Sequence, residues 1–234
     1  MTSGKTIITP LLCLFLLSAC GLKEKVKNKT DDISRQPTTI KSDGLPDKHL
    51  ISTTFVPQAP EKNWSQPWQD ACEEAAILTV HYYLENKTPD LATMIKDYEE
   101  LLAESTTRDI NLEDMGKIAK DLYGYQPQII ENPTIEDIKT FIAVDTPVII
   151  PANGKTLFSE NKHFKNGGPW YHNLVILGYD DDKKQFTVHD VGTQFGAYFR
   201  YSYATLMDSI HDFPDSKVKE EINDGQKIIL VLLK

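Results

Sequence analysis

Cysteine is scarce in this chain of 234 residues, which has only Cys13, Cys20 and Cys72. Thiols so few and so far apart do not make a disulfide framework, and a folded domain here must rely on its apolar core. An excess of positive charge is missing too. Against 25 Lys and Arg stand 34 Asp and Glu, a formal net charge of −9. Phosphate binding needs a basic patch and none is visible, so no nucleic-acid partner is expected. Metal-ligand spacings are absent as well: the chain has no His-x-x-x-His, Cys-x-x-Cys or spaced Asp loop, so neither a metal nor another cofactor is expected. Asp180-Asp181-Asp182 reads more simply as a solvated hairpin turn. No internal repeat is seen. What is present in quantity is apolar residues, 40% of the chain. That is enough to bury a real core in one domain or at most two.

The start of the chain does not belong to that core. Lys5 precedes an apolar run from Ile7 to Leu17 that ends in Leu17-Ser18-Ala19-Cys20. A run of about a dozen residues after a basic start is a secretory signal, too short to span a bilayer as a mature helix. Small residues directly before Cys20, with Gly21 after it, resemble a bacterial lipobox. The resemblance implies cleavage after residue 19, lipid on Cys20, and a membrane partner through that lipid. The protein is then expected on the outer face of a cell membrane or in an outer membrane. Residues 20–50 are rich in Lys, Asp, Ser and Thr and read as a flexible tether, with the folded domain at 51–234. Cys13 is removed with the signal and Cys20 carries lipid, so Cys72 has no disulfide partner. A lone thiol in an exported protein is a reactive-site candidate, and the bland reading is a small buried core thiol.

Cys72 lies where a loop containing Pro67 and Trp68 passes into an Ala-rich helical pattern. Asp70 reads as the N-cap and Glu73 as its partner three residues on, which puts Cys72 near the second helical position. The helix dipole favours a thiolate there, while Asp70, Glu73 and Glu74 oppose it. Helical spacing runs on to about Leu84. Further helices are expected at Asp90 to Ala103, started by Thr88 and Pro89, at Leu112 to Tyr123 after Asn111, and at Thr134 to Val144. The period then changes. Pro147 to Ile150, Asn173 to Tyr179, Gln185 to His189 and Lys227 to Leu233 read as buried strands, and Ser52 to Val56 as a short strand. Helices first and strands after indicate an α+β fold with N-terminal helices on a mostly antiparallel sheet. The long segment from Ala152 to Tyr171 suggests a lid or binding loop.

A cysteine becomes a nucleophile when a base takes its proton and a third group orients the base. Of six histidines, His49, His81 and His211 read as solvated or packing residues, and His163 lies in the long loop. Residues 180–184 close a hairpin that brings position 172 opposite positions 190–192. Asp190 can then hold one nitrogen of His172 and leave the other for the thiol. His189 points to the other face.

The run Val56-Pro57-Gln58-Ala59-Pro60, then Gln69-Asp70-Ala71-Cys72-Glu73-Glu74-Ala75-Ala76, Pro147-Val148-Ile149-Ile150-Pro151 and Tyr171-His172-Asn173-Leu174-Val175-Ile176-Leu177-Gly178-Tyr179-Asp180-Asp181 resembles peptidase-like proteins related to cysteine peptidase family 39. Those are papain-fold domains akin to the double-glycine leader peptidases, and the resemblance covers residues 51–215. It implies Cys72 as nucleophile, His172 as general base and acid, and Asp190 as the orienting carboxylate. It also implies a glutamine that donates to the oxyanion with the Cys72 N–H: Gln69 by the family spacing, with Gln66 as the alternative. Val191 stands where the family usually has Pro. The function implied is an exported thiol peptidase or amide hydrolase that cleaves peptide or isopeptide bonds of a peptide or protein substrate. The alternatives are a catalytically silent binding lipoprotein with the same fold, and acyl transfer through the same covalent intermediate.

Overall fold

The structure, a computed structural model, describes residues 44–105 and 108–234, the backbone at Ser34–Arg35, and Met1. The signal segment, Cys20 and most of the tether lie outside the described residues. In chain order the strands are β1 (Ser34–Arg35), β2 (Lys48–Leu50), β3 (Gln126–Glu131), β4 (Val148–Asn153), β5 (Tyr171–Asp180), β6 (Gln185–His189), β7 (Phe199–Ser202) and β8 (Ile228–Leu233). The helices are α1 (Cys72–Leu84), α2 (Leu91–Glu104), α3 (Leu112–Tyr123), α4 (Ile135–Ala143), α5 (Gly154–Leu157) and α6 (Tyr203–Ser209).

One sheet runs through the molecule in the order β1-β3-β8-β4-β5-β6-β7, with β2 added alongside β5. Among the described residues only the β1–β3 pairing is parallel. The expected architecture, N-terminal helices on a mostly antiparallel sheet in the papain-like α+β class, is the one observed. Its centre is β5, buried from Tyr171 to Tyr179. α1 lies against β5 and is buried from Cys72 to Tyr82, its carboxyls Glu73 and Glu74 included. Full burial of Ile77 and Leu78 is worth about 1.5–3 kcal/mol each. That packing fixes how the start of α1 meets the start of β5.

Local caps explain the helices that match expectation. Asn111 caps α3 by accepting from Asp114 N–H at 2.9 Å, and Gly124 ends it in the left-handed region at φ 75°. Thr134 caps α4 in a capping box closed by Asp137. α2 departs slightly, since Asp90 is its cap, with its carboxylate accepting from Thr93 N–H at 2.8 Å. The start of α1 departs more. Trp68–Asp70 forms a 3₁₀ turn, Ala71 is the N-cap with no side-chain cap, and Cys72 is the first helical residue. Asp70 does not cap because its carboxylate is engaged elsewhere, by Gln66 Nε2 at 2.7 Å and near Arg108 at 3.8 Å.

Four segments pair or bend otherwise than expected. The segment from Ser52 to Val56 is not a strand; it crosses the sheet, with Ile51 N–H bonded to Leu177 O and Gln58 N–H bonded to Val191 O. Lys48–Leu50 pairs with Gly178–Asp180 and Ser34–Arg35 with Gln128 and Ile129, so regular pairing reaches into the expected tether at both places. The long segment after β4 is partly regular: Asn153 caps the short α5. Gly168, at φ +83°, packs so close to Gly154 that a Cβ would lie 2.2 Å from Gly154 O. The Asp180 to Asp182 turn is not merely solvated, because Asp181 binds Lys139 and the Tyr203 hydroxyl.

Candidate active site

The hairpin of β5 and β6 builds half of the site. Val175 pairs with His189, and a register shift between Ile176 and Gly178 adds one residue to the β5 side. Continued past its last pair, this register brings His172 opposite the segment that follows β6. His172 Nε2 bonds Asp190 Oδ1 at 2.9 Å, with both residues buried. Gly192 sits against the imidazole so closely that a Cβ would lie 2.7 Å from His172 Cε1. Phe164 meets the ring edge-on at 5.4 Å.

Asp190 is fully buried and saturated with donors. Its Oδ1 also accepts from Gly192 N–H at 3.2 Å, and its Oδ2 accepts from Tyr201 Oη at 2.6 Å and Asn161 Nδ2 at 2.9 Å. Burial alone would raise the carboxyl. The charge and hydrogen bond of His172, with the bonds from Tyr201 and Asn161, outweigh it and hold Asp190 below the usual carboxylate range. An ionised Asp190 fixes the ring through Nε2 and leaves Nδ1 as its other nitrogen.

α1 brings Cys72 to the same place. Cys72, Gln69, Asp70, Gln58, Trp170, His172 and Gly192 share one cleft of about 430 Å³. A second cavity of about 450 Å³ continues past Gly192 to Trp64, His163 and Phe195. The thiol does not face His172 by a hydrogen bond among the described residues. Cys72 Sγ donates to Glu73 Oε2 at 3.0 Å, and Asn173 Nδ2 lies 3.9 Å from the sulfur. Burial pushes the thiol up, and the charge and hydrogen bond of Glu73 push it further, with a smaller push from Asp109.

The glutamines separate by position. Gln66 is spent on Asp70 and is not among the cleft-lining residues. Gln69 stands exposed at the cleft edge. Gln58 is buried in the cleft, and its Nε2 donates to Trp68 O at 3.0 Å and Gln69 O at 2.7 Å. Both of its amide hydrogens are thereby used on carbonyls, so Gln58 ties down the loop that leads to Cys72. Sequence reasoning missed Gln58, Asn161 and Tyr201. The signal for Gln58 lay in the Val56-Pro57-Gln58 run; Asn161 and Tyr201 come from other elements and left none.

The other histidines are accounted for by packing. His81 bonds Tyr125 Oη at 2.9 Å and stacks on Tyr123, His49 pairs with Asp145 at 2.7 Å, and His211 Nδ1 bonds Gly225 O at 3.1 Å. His163 packs on Phe195 with ring centres 4.6 Å apart. His189 lies on the far face from His172, edge-on to Phe55 and Tyr198, and burial pushes it down to about 4. No group of three or more His, Cys, Asp or Glu arranged to hold a metal occurs among the described residues.

A cysteine at the start of a core helix, set across a cleft from a sheet-borne His–Asp pair, is the layout of a papain-like cysteine hydrolase. A family model described as the Peptidase_C39 like family matches residues 53–213, and the chain belongs to that family. Two solved structures are similar at low identity. One, from Bacillus anthracis and described as a C39-like peptidase, is 15% identical with a TM-score of 0.49, covering 80% of this chain and 98% of that one. The other is xylellain, a cysteine protease from Xylella fastidiosa, 13% identical with a TM-score of 0.44, covering 86% and 91%. A search of curated proteins found no match.

Proposed function

We propose that this chain is an exported, lipid-anchored thiol peptidase or amide hydrolase with Cys72, His172 and Asp190 as its triad. The observation that carries the reading is the buried His172–Asp190 pair opening onto the cleft that contains Cys72. In the mechanism, Sγ gives its proton to His172 Nδ1 and the thiolate attacks an amide carbonyl. The tetrahedral oxyanion is met by the Cys72 N–H at the uncapped start of α1 and by Gln69 at the cleft edge. His172 then protonates the leaving amine and activates water for release of the acyl group. The bonds cleaved are peptide or isopeptide bonds, and lipid on Cys20 holds the enzyme at the cell envelope.

The test is a peptide and isopeptide library incubated with purified protein, with products read by mass spectrometry. Turnover by the wild type and none by Cys72→Ala or His172→Ala is expected; a Cys72→Ala protein with full activity overturns the reading. A second reading, a binding protein that keeps the fold without turnover, is favoured by one observation, the thiol bonded to Glu73. It predicts peptide capture by the wild type with no products.

A further inference from the structure

The side chain that meets the thiol is that of the next residue in the chain. Glu73 is fully buried; its Oε2 accepts from Cys72 Sγ at 3.0 Å and its Oε1 from Ile110 N–H at 3.3 Å. Its other neighbours are acidic or neutral. Glu74, on the same helix, has Oε1 bonded to Ser105 Oγ at 2.6 Å and Oε2 without a partner. Asp109, just before α3, adds negative charge. From β5 comes Tyr171, whose hydroxyl reaches Ile110 O at 2.9 Å and Asp212 Oδ1 at 3.1 Å, and beside it Asn173 faces the sulfur. No Lys, Arg or His forms an ion pair with Glu73 among the described residues. A carboxyl in such a place is not half of a salt bridge. Its donors are the Ile110 N–H, its own backbone N–H and the thiol.

We propose that Glu73 is a positioning residue and proton switch for the nucleophile: its carboxylate captures the thiol hydrogen and holds Cys72 unreactive, and its carboxylic acid form releases the thiol to His172. This rests on the reading of Cys72 as nucleophile. In the ionised form the S–H···O⁻ bond is charge-assisted, and a thiolate would stand beside a negative oxygen. In the acid form the Glu73 O–H turns to Sγ as a donor. The thiol proton then passes to His172 Nδ1, since Nε2 is held by Asp190. Thiolate and imidazolium result, and Glu73 keeps its own proton, so charge and atoms balance. Burial, then the charges of Glu74 and Asp109, raise the Glu73 carboxyl and extend the acid form upward in pH. A merely structural Glu73 would leave thiol ionisation indifferent to its charge.

The experiment is iodoacetamide alkylation of Cys72 in the full chain, followed by mass spectrometry from acid to alkaline pH. Glu73→Gln keeps the size and the Ile110 acceptor but cannot ionise. Its alkylation midpoint is expected about one pH unit or more below the wild type, which is about tenfold faster labelling between the two midpoints. Glu74→Gln leaves the Sγ–Oε2 contact in place and is expected to move the midpoint less. A Glu73→Gln midpoint within about 0.2 unit of the wild type, or an equal shift in Glu74→Gln, overturns the proposal. If Glu73→Gln does not fold, infrared difference spectra of the wild type before and after alkylation serve instead. A carboxyl band that changes on alkylation, and does not change in Cys72→Ala treated alike, is expected; no change overturns the switch. Alkylation needs no substrate, so failure of the peptide library and failure of this inference are told apart.

Discussion

Asp190→Ala removes the acceptor on which four donors converge: His172 Nε2, the Gly192 N–H, the Tyr201 hydroxyl and the Asn161 amide. Hydrogen bonds to a charged group are worth about 1.5–3 kcal/mol each, but donors on one acceptor act as a network and do not add. The better guide is the cost of deleting one partner of a buried pair, about 3–5 kcal/mol. For a domain of this size each kcal/mol lowers Tm by about 2–4 °C, so a loss of about 6–20 °C is expected. Against a total stability of about 5–15 kcal/mol, the variant still folds or nearly so. Asp190→Asn should fall between: it keeps one oxygen, and Tyr201 can rotate to accept, but the Asn161 amide then faces another amide. The assay is urea unfolding alongside kcat/KM. The sign with pH is also defined. The folded carboxyl is held below its ordinary value, so its contribution is present above about pH 3.9 and fades as pH falls through the folded value. The gap between wild type and Asp190→Ala should close in acid. A loss under about 1 kcal/mol at neutral pH refutes the reasoning.

Further outcomes follow from the same geometry. Gly192→Ala should lower kcat strongly and cost about 1–3 kcal/mol in urea unfolding, since its Cβ would press on the His172 ring at 2.7 Å; normal turnover would mean that the ring position is not critical. Gln58→Ala should cost about 1–3 kcal/mol in urea unfolding, because it leaves the Trp68 and Gln69 carbonyls without their donor. Glu74 has its carboxyl raised by burial, so its favourable share is complete below the unfolded value and is lost as pH rises through the folded one. The Tm of Glu74→Gln relative to wild type should therefore climb from acid to neutral pH, and a pH-independent difference would contradict it. Cys20→Ala should move the protein from the membrane to the soluble fraction after cell lysis; retention in the membrane counts against lipidation there.

Where a side chain bonds its own neighbourhood, the sequence was readable. Asn111 and Thr134 cap α3 and α4 through residues three positions away, and Asp180 to Lys184 closes a hairpin whose register places Asp190 at His172. What failed depended on partners distant in sequence or on weak local pattern. Asp70 has the residue type and spacing of a cap, yet Gln66 and Arg108 take its carboxylate. β3 is not among the expected strands; Pro127 is a residue that argues against one, although the strand pairs along its whole length with β8. β7 is only four residues long. Around the site, Asn161 and Tyr201 reach Asp190 from a loop and an edge strand, which no periodicity could bring together. The capping role read for Glu73 hid its actual partner, the thiol one residue before it.

Two buried carboxyls behind this cleft, one bonded to His172 and one to Cys72, are treated in opposite ways, and their donors differ. Asp190 receives four and stays ionised despite complete burial. Glu73 receives only backbone N–H groups and a thiol, with no cation bonded to it among the described residues, and burial with the charges of Glu74 and Asp109 drives it toward its acid form. Environments that push like groups apart are how one site keeps an ionised carboxylate and a carboxyl driven toward its neutral form side by side. The acids around Cys72 are thus not equivalent obstacles to a thiolate. Asp70 is turned to Gln66 and Glu74 to Ser105, while Glu73 alone touches the sulfur. In the proposed mechanism, because that contact opposes the uncapped start of α1, formation of the thiolate draws on the imidazolium of His172. The ionised Asp190 is what makes that imidazolium affordable in a buried cleft.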